Sequence, residues 1–406
     1  MGLNGCDRHH CRVRPSIPRP EGPITPSGRK SPNVRCVDVS AMTRSLPAPA
    51  TTRLWTPQRV LVTRSAQEHP HTAEILRRCT AAGVDDVELL LGDRITGVRG
   101  ESERETYARA KSTLAVVTSP ASARKLDPIP PSADWRVDLA RGCPAHCQYC
   151  YLAGSLTGPP MTRVYGDLEE ILAGLDAYVG HGTITSTNVD RAAEGTTFEA
   201  SCYTDPLGIE HVTGSLSAAI RHVGTHDFGG PVQLRATTKF ADVAGLLDLP
   251  HGGRTRLRFS VGPESVVGRF EGGTDPVGKR IEALATLARA GWPVGLTIAP
   301  IMPVGDWRAA YSDLLARVAA ALEGVDDLDL TAECITHRFT PGSKETLETW
   351  YPRTRLEMDP EQRRTKRGKF GAVKHVYPDD VMTDLRAHVT SELAERLPAA
   401  RVLYWT

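Results

Sequence analysis

A chain of 406 residues that is 40% hydrophobic and 24% charged can bury a sizeable core, which excludes a protein that is disordered or fibrous throughout. Lys and Arg number 49 against 48 Asp and Glu, a formal charge of +1, so a polyanion must be met by a local basic patch and not by a global field. The nine cysteines are odd in number and clustered tightly only once, against a disulfide scaffold; no apolar run approaches the ~18 residues of a membrane span, and a cytoplasmic protein is expected.

Residues 1–57 are rich in Arg, Pro, Ser and Thr and lack apolar periodicity, which reads as a disordered leader. Met42 opens a stretch that runs straight into the apolar segment at 59–62 and is a second candidate start. Cys6, His9, His10 and Cys11 have metal-ligand chemistry, but so short a tract in a leader without a core is more often incidental. Residues 58–131 alternate an apolar strand at 60–62, a helical pattern at 73–82 and a strand at 114–117. This small αβ region ends in the rigid Asp127-Pro128-Ile129-Pro130-Pro131 linker.

In the next segment, 132–340, strand-length apolar runs near 135–139, 197–201, 232–237, 257–261, 294–299 and 328–333 alternate with helix-period segments. Leu168, Ile171, Leu172 and Leu175 give one helix a single apolar stripe, as do Ile281, Leu284, Ala285 and Ala288 another. The expected fold class is α/β, a partial (β/α)6 TIM-type barrel that opens on one side and carries its chemistry at the C-terminal ends of its strands. Residues 341–406 are expected to add a basic hairpin and a helix. Arg363, Arg364, Lys366, Arg367, Lys369 and Lys374 lie between Gln362 and His375 with no acidic residue among them, and Gly368 and Gly371 can turn the chain. Such a run is usually a solvated face; as a phosphate patch it would weaken steeply with salt.

The chemical centre follows the first barrel strand. Cys143-Pro144-Ala145-His146-Cys147-Gln148-Tyr149-Cys150 places three thiolates at spacings of four and three on a loop that Gly142 and Pro144 permit to wrap. An iron-sulfur cube has four iron corners, so three cysteines leave one iron free of a protein thiolate. Structural zinc prefers four closed ligands, usually in C-x2-C pairs, although His146 completes a Cys3His set.

This C-x3-C-x2-C motif, with an aromatic beside its last ligand, resembles the signature of radical S-adenosylmethionine enzymes. The resemblance narrows to the spore photoproduct lyase family through Gly142 to Leu152, Phe198-Glu199-Ala200-Ser201-Cys202, Gly208-Ile209-Glu210-His211, Thr237-Thr238-Lys239-Phe240 and Arg258-Phe259-Ser260. It runs on through Phe270-Glu271-Gly272-Gly273-Thr274, Lys279 to Ala283, Ile298 to Ile301, Ile335 to Thr340 and Tyr404-Trp405-Thr406, covering roughly 111 to the C-terminus.

The resemblance implies that Cys143, Cys147 and Cys150 hold a [4Fe-4S] cluster whose fourth iron binds S-adenosyl-L-methionine. It also implies a DNA repair lyase that returns 5-thyminyl-5,6-dihydrothymine to two thymines. An alternative is a related radical enzyme acting on a different lesion or nucleic-acid substrate. Cys202 is the implied hydrogen-atom donor, at a barrel-strand end, where its thiol must stay protonated. Tyr149 and Tyr151 match tyrosines that relay the radical back towards the cofactor. Tyr151, Thr204, Lys239 and Ser260 match cofactor contacts, and Arg363, Arg364, Lys366, Arg367 and Lys369 match a DNA-inserting hairpin. The implied partners are ultraviolet-damaged DNA and an electron donor such as flavodoxin or ferredoxin, with the chain a monomer or weak dimer. The sequence departs from the family pattern at Thr204, where Ser is usual, and at Tyr203, where a smaller residue is usual. It departs again at Arg364-Thr365 in place of an Arg-Tyr pair, with Phe370 the candidate replacement aromatic, and in the 180–195 insertion, which has no family counterpart.

Overall fold

The computed structural model describes residues 54–406 except 156–157, 186–187 and 368–372. The leader with Cys6, His9, His10 and Cys11 lies outside the described residues, as do Lys369 and Phe370.

Alternation along the strands builds the main sheet. Its eight strands stand in the order Arg401–Trp405, Leu330–Thr336, Val294–Ile301, Thr255–Val261, Val232–Thr238, Thr196–Glu199, Ala133–Arg136 and Asp127–Ile129. All neighbours are parallel except the edge pair formed by 127–129 and 133–136. Leu234, Ala236, Leu257, Phe259, Leu296 and Ile298 face the helices Ser215–Thr225, Val277–Arg289 and Trp307–Leu322 and form the principal core. The intervening positions Glu199, Arg235, Arg258 and Glu333 are buried on the concave side. The partial barrel expected from six βα units is present, its first strand shifted to 133–136.

Two strands of this sheet were not expected, nor were 87–89, 140–141 and 162–165 elsewhere in the fold. The proline-rich 127–131 segment forms an edge strand, where Pro128 sacrifices no ladder hydrogen bond that the sheet interior needs. Residues 401–405 extend the sheet past 330–336, with the Thr406 N–H donating to the Cys334 carbonyl at 3.0 Å.

A second sheet has the order Val87–Leu89, Arg59–Val62, Thr113–Val117, Thr162–Tyr165 and Ala140–Arg141. Ile75 and Cys79 of the helix Pro70–Ala81 pack on one face of it, and Ala110 of the helix Glu103–Lys111 on the other. The chain leaves the main sheet at Arg136 and joins this one at Ala140, so the cysteine loop starts at the seam between them. Gly142 turns there at φ +88°, and a Cβ at that position would strike the Met161 carbonyl.

The 180–195 insertion, unassigned from sequence, packs at the N-terminal end of the strands. Asp134 accepts from the Ile184 N–H at 2.7 Å, the Thr185 hydroxyl at 2.5 Å and the Thr197 N–H at 3.0 Å. Arg191, fully buried, donates to the Pro131 and Ser132 carbonyls at 2.8 Å and pairs with Glu194 at 2.9 Å. At the other end, Arg364–Arg367 and Val373–Val376 form an antiparallel hairpin tied back by the His375 N–H on the Phe339 carbonyl at 2.8 Å. The following helix, Asp379–Arg396, buries Leu385, Val389 and Leu393.

Candidate functional site

The cysteine loop is clamped from two sides. From the helix 103–111, the Lys111 ammonium donates to the Cys143 carbonyl at 2.7 Å and the Ala145 carbonyl at 2.5 Å. From the end of the helix Glu264–Phe270, the Phe270 carbonyl accepts from the Gln148 N–H at 2.8 Å, and just past it the Gly272 carbonyl accepts from the His146 N–H at 2.6 Å. Tyr107 pairs through its hydroxyl with His146 Nδ1 at 2.8 Å, so this nitrogen is already engaged. Burial and the neighbouring Lys111 charge push His146 down to about 4, which keeps its ring neutral. Cys147 is buried, Cys143 and Cys150 are half-buried, and all three thiols are free. Among the described residues no three Cys, His, Asp or Glu groups stand at the spacing of a single-ion cage. A cube that gives each thiolate its own iron requires a wider spacing than that.

Facing the loop are the C-terminal ends of the barrel strands. Lys239 donates through its ammonium to the Ser260 hydroxyl at 2.8 Å, the Tyr149 hydroxyl at 3.0 Å and Glu271 at 2.8 Å. Its three protons are therefore all engaged, and a carboxylate arriving here must displace one of these partners. Burial works against the ionised Glu271, but Lys239 and Arg280 outweigh it and hold the carboxyl at about 2. Tyr149 also hydrogen-bonds Glu271 directly. Next to this cluster, Asp205 accepts from the Lys239 N–H and the Thr238 hydroxyl, both at 2.7 Å, while burial still raises it to about 6. Thr204 has a buried hydroxyl with no hydrogen-bond partner, so this position retains a free polar atom for a ligand.

Cys202 follows the strand 196–199. Ser201 fixes its approach: its N–H donates to Glu199 at 3.2 Å, its hydroxyl also bonds that carboxylate, and its oxygen accepts from the Thr237 N–H at 2.9 Å. Burial, then the carboxylates of Glu199 and Asp138, push the Cys202 thiol well above its ordinary value. At neutral pH the sulfur carries its hydrogen. Tyr151 is 61% exposed, yet its hydroxyl turns inward to donate to the Cys202 carbonyl. The cysteine loop and the candidate donor thus meet through one hydrogen bond. Tyr203 beside them has two guanidinium groups over its ring, Arg136 at 4.8 Å and Arg141 at 5.1 Å from the ring centre.

The hairpin divides the predicted DNA-contacting residues. Arg364, Lys366 and Arg367 are exposed, and Lys366 stands directly across from Lys374. Arg363 requires correction: it is only 7% exposed, with its guanidinium over the Tyr377 ring at 3.7 Å, on the His337 carbonyl at 3.1 Å and paired with Glu357. It anchors the base of the hairpin and has no free face for phosphate. Sequence reasoning also gave no role to Glu271, Glu199, Arg136 or Arg141. The first two stand inside the matched segments Phe270-Glu271-Gly272 and Phe198-Glu199-Ala200, a signal that only a contact map turns into a role.

A family profile described as spore photoproduct lyase matches residues 55–406. The chain is 38% identical over 350 residues to the spore photoproduct lyase of Bacillus subtilis (strain 168), covering 86% of this chain and 98% of that one. It is 30% identical over 333 residues to that of Clostridium acetobutylicum, covering 81% and 93% respectively. A solved spore photoproduct lyase mutant with bound AdoMet and dinucleoside spore photoproduct superposes with a TM-score of 0.79 at 36% identity, covering 87% of this chain and all of that one. A second, complexed with dinucleoside spore photoproduct alone, gives the same TM-score, identity and coverage. Among the described residues no helix is long and apolar enough to cross a membrane.

Proposed function

Since this chain belongs to the spore photoproduct lyase family, we propose that it is a DNA repair lyase that reverts the methylene-bridged thymine dimer, 5-thyminyl-5,6-dihydrothymine, to two thymines. Cys143, Cys147 and Cys150 would hold a [4Fe-4S] cluster; Thr204, Lys239, Ser260 and Tyr151 would line the S-adenosylmethionine site. Once bound and reduced, these groups would supply the radical chemistry that removes a hydrogen atom from C6 of the saturated ring.

The chain's own part is hydrogen management. When the bridging bond breaks, one thymine is left with a methylene radical, and Cys202 delivers a hydrogen atom to it, since an S–H bond is weaker than a methyl C–H bond. A thiolate has no hydrogen atom to give, so the burial and nearby carboxylates that keep the thiol protonated serve this step. Tyr151, bonded to the Cys202 carbonyl, is the first partner for the resulting thiyl radical, and Tyr149, held by Lys239 and Glu271, is the second. The single observation that carries this reading is the Tyr151–Cys202 hydrogen bond, which joins the cysteine loop to the donor strand.

Arg364, Lys366 and Arg367 bring the damaged duplex to the mouth, where a poorly stacked lesion costs less to extrude than an intact step. The electron arrives from an outside carrier of the flavodoxin or ferredoxin type, and the chain acts as a monomer or weak dimer. Anaerobically reconstituted protein given reductant, S-adenosylmethionine and a lesion-bearing oligonucleotide should release repaired thymines, read by chromatography after digestion. Formation of 5′-deoxyadenosine without thymine recovery would reject the substrate. Cys202→Ala should still consume cofactor while yielding aberrant thymine products, and clean repair by that variant would remove Cys202 from the chemistry.

A further inference from the structure

The short strand 140–141 pairs antiparallel with 162–165, and its register sets Arg141 directly across from Arg163. Two like charges in that position repel, and such pairs are normally avoided. The rest of the fold treats its buried arginines differently: Arg191, Arg235, Arg256, Arg258 and Arg280 each have a carboxylate partner. Arg163 is half-buried and, among the described residues, has neither an ion pair nor a side-chain hydrogen bond. Burial and the Arg141 charge together lower its pKa, so its charge is held against local opposition.

The surroundings give this opposition a purpose. Arg141 donates to Asp138 at 3.0 Å and lies over one side of Tyr203, while Arg136 pairs with Asp138 at 3.2 Å and with Asp127 at 3.2 Å and also lies over Tyr203. Two guanidinium groups therefore share two carboxylates over one aromatic ring, and Arg163 stands next to them, across the ladder from Arg141. Tyr203 is joined in sequence to Cys202, and its carbonyl accepts from the Gly142 N–H at 2.7 Å, which ties the cluster to the start of the cysteine loop. The Cys202 thiol lies within electrostatic range of Asp138 and Arg136. An anion that satisfies Arg163 and relieves its repulsion with Arg141 would lie next to the Arg141 guanidinium, which stands over Tyr203, the chain neighbour of Cys202.

We propose that Arg141 and Arg163, with Arg136 and Tyr203 completing the wall, form a cleft for a nucleic-acid phosphodiester and hold the backbone of the lesion itself beside Cys202. The guanidinium fork suits phosphate geometry, and a half-buried site makes each contact stronger than one on the exposed hairpin. The two basic features then divide the work: the hairpin grips flanking duplex, while this cleft registers the damaged step against the thiol.

The inference rests on the lyase reading above, so the test separates the two. Two substrates are compared on reconstituted holoenzyme: the lesion as a dinucleoside without phosphate, and the same lesion with its internal phosphodiester. Failure of the wild type to turn over either one sinks the lyase reading and says nothing specific about the cleft. If the wild type is active, it should favour the phosphodiester form in kcat/KM. Arg163→Gln should cut this preference about tenfold, the loss of one charge-assisted hydrogen bond, and Arg163→Lys should restore part of it. Arg163→Met, of similar bulk, provides an independent reading if Arg163→Gln folds poorly. Removing one member of a repelling pair should leave the melting temperature equal to or above the wild-type value. A wild type with no preference for the phosphate, or variants that slow both substrates equally, would overturn the cleft.

Discussion

Glu333→Gln tests whether the charged barrel interior is a stability element or an incidental ion pair. Glu333 is 1% exposed and accepts from Arg258 at 2.7 and 2.6 Å, from Arg235 at 2.5 Å and from the Tyr404 hydroxyl at 2.9 Å. Burial opposes its charge, but Arg258 and Arg235 outweigh burial and hold the carboxyl below the usual range. Glutamine keeps the shape and removes the charge, leaving two buried guanidinium groups with only Glu199 and Glu194 to share. Breaking a buried pair from one side costs about 3–5 kcal/mol. The unit 51–406 should unfold with an entropy of about 0.7 kcal/mol/K, from roughly 2.1 cal/mol/K per residue, so the melting point should fall by about 4–7 °C. Tyr404→Phe removes one donor to the same charge and should lower it by about 2–4 °C. The double variant should lose less than the sum, because the hydroxyl's partner is no longer ionised. Calorimetry on anaerobic holoenzyme, repeated at several scan rates, measures all three shifts. A Glu333→Gln shift under about 1 °C, or strict additivity, would refute the argument.

Three further outcomes follow from the site. With Glu271 at about 2 in the folded chain against an ordinary 4.5, its ionised form contributes about 3 kcal/mol above pH 4.5, lost as pH falls towards 2. Urea unfolding of cluster-free chain should show the gap to Glu271→Gln shrinking to about 1.4 kcal/mol at pH 3, and a pH-independent gap would contradict the assignment. On the hairpin, Lys366→Gln and Arg367→Gln should each flatten the log–log salt dependence of duplex binding by about 0.9, whereas Arg363→Gln should lower the melting point with the slope unaltered. Thr365→Tyr, which restores an aromatic opposite His375, should raise repair of duplex lesions relative to single-stranded ones, and equal effects on both would argue against a wedge at that position.

What the sequence disclosed depended on period and spacing. Strands such as 232–238 and 255–261 were legible because apolar residues at alternate positions face the helices. The strand 401–405 was hidden, since Arg401 and Val402 are exposed and its placement comes only from pairing with 330–336. The edge strand 127–129 was masked by its prolines, which deny an interior strand but not an edge. At the site, the cysteine spacing and Cys202 could be identified by resemblance, and the structure brings them together through Tyr151. Glu271, the Glu199–Arg258 pair and the Arg136–Tyr203–Arg141 cluster could not, because each joins residues far apart in sequence.

Arginine is where composition misleads most. The fully buried side chains of largest volume in this fold are arginines, each neutralised by Glu or Asp, so a count of basic residues overstates what is available to DNA. Arg363 shows the same at the hairpin, where it looks like part of a phosphate patch and is part of the frame. The informative positions are those where cations oppose each other across a ladder, Arg141 with Arg163 and Lys366 with Lys374. A folded chain tolerates such pairs at a cost of a few tenths of a kcal/mol to about one each. Asp138 already offsets Arg141, so an arriving polyanion would act mainly on Arg163 and the exposed lysines, and with a net charge of +1 no long-range field does that work in their place. Attraction of a polyanion therefore depends on local cations, Arg163 among them and the exposed Lys366 and Arg367 of the hairpin.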